Sequence, residues 1–74
     1  MDAITFINRY HLFLNEIEAV VKPELLPILE ELKEVDPHDL IRPEGYFESE
    51  NHARGFVWCL FIQKALYNFN IHRH

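Results

Sequence analysis

The stretch Phe56-Val57-Trp58-Cys59-Leu60-Phe61-Ile62 decides how this chain folds. It falls far short of the roughly 20 apolar residues that a bilayer span requires, and a run of this length fits either a buried strand or a buried helix. Its flanks decide between them: Asn51-His52-Ala53-Arg54 before it and Gln63-Lys64-Ala65-Leu66 after it read as continuing helix. The pattern predicts a helix over about 49–69, with Ser49 as its N-cap. Gly55 inside it costs roughly 1 kcal/mol relative to Ala, which we read as the mark of a close approach by another helix. At about 100° per residue, Ala53, Val57, Leu60 and Tyr67 share one face. Trp58, Ile62, Ala65 and Phe69 share nearly the opposite one, with Cys59 and Phe61 between them. A helix this apolar all round must be buried on most sides.

Two shorter helices are predicted to supply the cover. Over about 2–22, apolar residues fall at Ala3/Ile4, Phe6/Ile7, Tyr10, Phe13/Leu14, Ile17 and Val20/Val21, spacings of three and four that define one helical face. Asp2 is the expected N-cap, and Pro23 ends the helix by disfavouring helical geometry at Lys22. Over about 25–35, Leu25, Ile28/Leu29, Leu32 and Val35 line one face, with Pro27 tolerable only in the first turn. The connection at 36–48 is irregular. Asp36 is placed to cap a turn starting at Pro37, Arg42-Pro43-Glu44-Gly45 carries turn chemistry, and Tyr46 and Phe47 are expected to pack onto the core. The fold class is therefore all-α: one three-helix domain spanning 1–74.

At 74 residues, a domain buries only about 60% of the surface that its unfolded chain exposes and needs something more to hold it. Cys59 is the only cysteine, so disulfides cannot supply that support, and a thiol inside an apolar run reads as buried and inert. An apolar content of 49%, with 14% aromatic, is too rich for disorder. The start Met1-Asp2-Ala3-Ile4 lacks the features of a signal peptide, so the expected setting is cytoplasmic.

Two helices with single apolar stripes cover one side of the third well and hardly both. The economical solution is a homodimer in which the third helices pack together, through Val57, Trp58, Phe61, Ile62, Ala65 and Phe69. The competing solution is a monomer closed by Leu40, Ile41, Tyr46 and Phe47 of the connection.

Charge is unevenly distributed. The net charge is −5, yet residues 16–50 hold eleven acids against Lys22, Lys33 and Arg42, a net of −8, while 51–74 hold Arg54, Lys64 and Arg73 with no acid. An acidic surface solubilises by default; as a working surface it would meet a basic partner, through Glu30, Glu31, Glu34, Asp39 and Glu44. It is also the kind of surface that mimics a phosphate backbone.

Catalytic chemistry finds little foothold. Ser49 is the only serine and serves as a cap, no Gly-rich phosphate loop is present, and the glutamates lie on a solvated face rather than in a desolvated cleft. Glu48, Glu50, His52, His72 and His74 offer metal donors without a recognised ligand spacing, so we expect no metal and no cofactor. In style the chain resembles the small accessory regulators and inhibitors carried by bacteria, plasmids and temperate phages, a likeness of type that transfers no residue. The expected function is a non-enzymatic helical interaction module that regulates or inhibits another protein. The alternatives are a nucleic-acid-associated regulator using Arg54, Lys64 and Arg73 across a dimer, and a metal-responsive protein using His52, His72 and His74.

Overall fold

Asp2 starts the first helix by geometry as well as position. Its backbone is extended, and its carboxylate accepts the Thr5 N–H at 2.8 Å. The computed structural model describes residues 1–41 and 47–72, with side chains as far as Phe69. From Ala3 the chain runs as helix α1 to Glu18, turning Phe6, Tyr10, Phe13, Leu14 and Ile17 inward. The helix stops four residues before the sequence limit of Lys22. Pro23 holds Lys22 extended, and the N–H groups of Val20 and Val21 close back on the Ile17 carbonyl, each at 3.0 Å, in a tight reversal.

A 3₁₀ turn at Pro23–Leu25 leads into helix α2, Leu26–Lys33. Pro27 lies in its first turn, where a missing N–H costs no helical bond. Ile28, Leu29 and Leu32 face the core. A second 3₁₀ turn, Pro37–Leu40, is capped as expected by Asp36, whose carboxylate accepts the His38 N–H at 2.9 Å. Helix α3 then spans Glu50–His72, with the Ser49 hydroxyl accepting the His52 N–H at 3.1 Å. The all-α, three-helix architecture is the one the periodicity predicts.

One core joins the three helices: five residues from α1, three from α2, and Ala53, Val57 and Phe61 from α3. Tyr10 links the first two helices by donating its buried hydroxyl to the Leu32 carbonyl at 2.8 Å. Phe47 wedges in before α3, its ring 4.8 Å from Phe6 and 5.4 Å from Phe56. A pair of backbone bonds between Met1 and Phe47, 2.7 and 2.9 Å, holds that wedge against the start of α1. Leu40 and Ile41 also pack against the core. Tyr46, the remaining member of the expected closing set, lies outside the described residues.

Three expectations about α3 require correction. Val57 and Phe61, assigned to a dimer interface, are buried in the chain's own core, and Trp58 and Ala65 are half-buried against it. Cys59 is exposed rather than buried, because the run around it winds as helix and carries position 59 to the outside. Gly55 marks no close approach within the chain: a Cβ built there meets no atom within 4 Å.

Packing this dense makes the core sensitive at the buried Tyr10 hydroxyl. Tyr10→Phe should keep the fold and lower stability by about 1 kcal/mol, through loss of a buried hydrogen bond, measured by urea unfolding. An unchanged midpoint would mean that the Leu32 carbonyl is satisfied without Tyr10.

Candidate docking surface

Helix length sets what the fold leaves uncovered. At about 1.5 Å per residue, the 23 residues of α3 extend roughly 34 Å, against roughly 24 Å for the 16 of α1 and 12 Å for the eight of α2. Among the described residues, no fully buried position follows Phe61. Ile62, Leu66, Tyr67 and Phe69 are 49%, 58%, 63% and 57% exposed, a concentration of large apolar side chains on the far half of one helix.

These side chains divide between two surfaces. Leu60 and Tyr67 turn toward α2 and the second 3₁₀ turn, where Leu32, Val35, Leu40, Gln63 and Lys64 complete an open apolar groove of about 340 Å³. Ile62, Leu66 and Phe69 share the side of α3 opposite the core with Gly55 and Cys59, all five exposed and spaced 4, 3, 4 and 3 residues apart.

Ion pairs fasten each helix to the other two. Arg54 donates to both oxygens of Glu16 at 2.8 and 3.3 Å and lies over the Phe13 ring, tying α3 to α1, and Arg9 pairs with Glu50 across the same boundary. Lys33 joins Glu18 at 3.1 Å and Glu30 at 3.3 Å. Lys64 and Asn68 meet Glu31 at 3.5 and 3.3 Å, binding α2 to α3 at the groove. Exposed pairs of this kind are screened by solvent and add little to stability, so they set the orientation of the helices more than the stability of the fold.

These pairs sort the residues expected to act. Of the acids assigned to a partner, Glu30 and Glu31 are engaged within the chain, whereas Glu34 and Asp39 are exposed and make no ion pair among the described residues. Each immediately precedes a groove-lining residue, Val35 or Leu40. Glu44 lies outside the described residues. The cations of the nucleic-acid alternative, Arg54 and Lys64, are both held by glutamates, and Arg73 lies outside the described residues. The His52 ring stands edge-on to Phe47, 6.0 Å away. Among the described residues, no three His, Cys, Asp or Glu side chains gather in a way that would hold a metal ion; the His72 side chain and His74 fall outside them. No helix among the described residues is long and apolar enough to cross a membrane.

The residues missed at the sequence level are Leu66, Cys59 and Gly55 on the outer stripe, and the groove set of Leu32, Val35, Leu40, Leu60 and Tyr67. The stripe had a readable signal in its alternating four- and three-residue spacing. The groove had none, because it forms where α3 meets α2 and the second 3₁₀ turn, which lie some twenty or more residues before its α3 lining in sequence.

No protein-family model matches the chain, and neither a curated protein nor a solved structure is significantly similar to it.

Three exposed carboxylates couple this framework to pH. Hydrogen bonds hold each of them below its ordinary pKa: the Thr5 N–H for Asp2, Arg54 for Glu16, and the His38 N–H for Asp36. A carboxyl group depressed in the folded state stabilises it above the unfolded pKa, and that contribution disappears as pH falls through the folded value. The melting temperature should therefore hold level from neutrality to about pH 5 and decline below about pH 4. Glu16→Gln should lose part of that decline; an identical acid limb in the variant would show that the Arg54 pair does not couple to folding.

Proposed function

We propose that the protein is a non-enzymatic interaction module that regulates or inhibits another protein, binding a basic amphipathic helix of that partner in the groove between α2, the second 3₁₀ turn and α3. The observation that carries this reading is the groove itself, an open apolar trough of about 340 Å³, two of whose lining residues, Val35 and Leu40, directly follow the exposed acids Glu34 and Asp39 in sequence. Its volume is at the small end for a ligand pocket, and it is open rather than enclosing. Such a trough receives one or two apolar side chains from a helix laid along it. The uncommitted acids next to Val35 and Leu40 favour a partner helix with lysine or arginine flanking its apolar anchors. A basic rim on the partner would speed encounter and fix its register, while the apolar contact would supply most of the affinity.

Burial supports the non-enzymatic part of the reading. General acid–base and nucleophilic chemistry rely on titratable groups in a partly desolvated cleft, and the groove is lined by aliphatic side chains, Gln63, Lys64 and Tyr67. Lys64 is already paired with Glu31. As part of the same reading, the chain acts as a homodimer joined through α3, each protomer offering one groove. Two grooves on one particle would raise the avidity for a partner that is itself paired.

The probe for this reading is a pair of model amphipathic helices sharing the same leucine face, one flanked by lysines and one by glutamates. In an NMR titration, the lysine peptide should shift resonances of Leu32, Val35, Leu40, Leu60 and Tyr67, while the glutamate peptide binds at least about tenfold more weakly, a difference of about 1.4 kcal/mol. Reversing Glu34 and Asp39 together to lysine should erase that preference without altering helix content. Equal binding of the two peptides, or shifts centred away from the groove, would contradict the assignment.

A further inference from the structure

The outer face of α3 carries a pattern that neither the chain's own core nor the groove uses. Gly55, Cys59, Ile62, Leu66 and Phe69 alternate spacings of four and three, an average of 3.5 residues, the repeat with which one helix tracks along another. All five are exposed, and they lie on the side of α3 opposite Ala53, Val57 and Phe61. The helix thus has two seams, one serving its own domain and the other facing outward. The residues that flank the outer seam, Trp58, Gln63 and Ala65, carry no charge.

We propose that the occupant of this seam is a second copy of the chain, with the two α3 helices packed antiparallel about a two-fold axis beside Ile62. This rests on the homodimer reading above and replaces its contact residues, since Val57 and Phe61 are consumed by the core. Size complementarity selects both the partner and the direction. In an antiparallel pair centred near Ile62, Gly55 meets the partner's Phe69, Cys59 meets the partner's Leu66, and the two Ile62 side chains meet each other. The smallest residue faces the largest, the next smallest faces a leucine, and the layers fill evenly. A parallel pair would oppose Gly55 with Gly55 and Phe69 with Phe69, a gap at one end and a collision at the other. The antiparallel order also accounts for Gly55, which no contact inside the chain requires, because a bare position there makes room for an aromatic ring. Antiparallel helix dipoles oppose each other favourably as well.

Area agrees with a reversible association. Ile62, Leu66 and Phe69 each leave on the order of 100 Å² in water, so the pair covers several hundred Å² in total. That lies below the roughly 1,200–2,000 Å² of a stable standard interface. The dimer is therefore concentration-dependent. The groove, lined by Leu60 and Tyr67 on a different flank of α3, stays open on both protomers.

The native thiol at Cys59 makes the register testable. Across an antiparallel pair the two Cys59 positions are offset by about 10 Å along the axis, beyond the roughly 7 Å that a disulfide can span. Cys59 and the partner's position 66 lie side by side. Mild oxidation of the Leu66→Cys variant should therefore give a covalent dimer in high yield, while the native chain gives little. The substitution is on an exposed position, and within one chain positions 59 and 66 are too far apart along the helix to bridge. Efficient cross-linking of the native chain through Cys59 would overturn the antiparallel register while leaving self-association through α3 standing. Failure of both chains to cross-link would remove the seam as the interface. The mass of unoxidised protein, set beside that result, would then show whether the homodimer reading falls with it.

Discussion

A single constraint shapes this molecule: α3 carries apolar side chains around its whole circumference, and only two shorter helices are available to cover them. The cover is therefore partial. It is complete where α1, α2 and Phe47 converge on Ala53, Val57 and Phe61, and it ends at about Phe61. Beyond that point the helix continues for nearly three turns with Ile62, Leu66, Tyr67 and Phe69 about half exposed or more. The groove and the outer seam are both consequences of this shortfall. The first is the edge of the cover, and the second is the side that the cover never reaches.

What holds the cover in place is local and specific. Asp2, Asp36 and Ser49 each satisfy a backbone N–H at the start of a helical element, fixing where the helices begin. Tyr10 and the Phe6–Phe47–Phe56 cluster fix how they meet. The ion pairs at the helix boundaries consume most of the cations: Arg9, Lys33, Arg54 and Lys64 each face a glutamate. Among the described acids that make no ion pair, Glu34 and Asp39 directly precede the groove-lining residues Val35 and Leu40 in sequence. The groove lining itself holds one cation, Lys64, which is already paired with Glu31.

Much of this was legible in the amino-acid sequence. The 3.6-residue periodicity located α1 and α2, and all three caps and the role of Pro27 could be read from residue type and position. The misreadings of α3 share one cause. Faces of a helix that is apolar all round cannot be ranked from its own residues, because which one turns inward depends on where two other helices lie. That is why Val57 and Phe61 looked available to a partner, Cys59 looked buried, and Gly55 looked like a contact within the fold. The end of α1 was missed for a different reason. Val20 and Val21 continue the apolar period, but Pro23 has already committed the backbone to turn. The groove lay beyond sequence reading altogether, being assembled from Leu32, Val35, Leu40, Leu60 and Tyr67 across three elements.

The central claim is that the uncovered side of α3 is covered by association rather than left to water. Solution mass measured by light scattering across a dilution series tests it most directly. We predict a mass that rises from one chain to two as concentration increases, as expected of a weak association through a small interface. A mass of one chain that persists into the millimolar range would contradict the account.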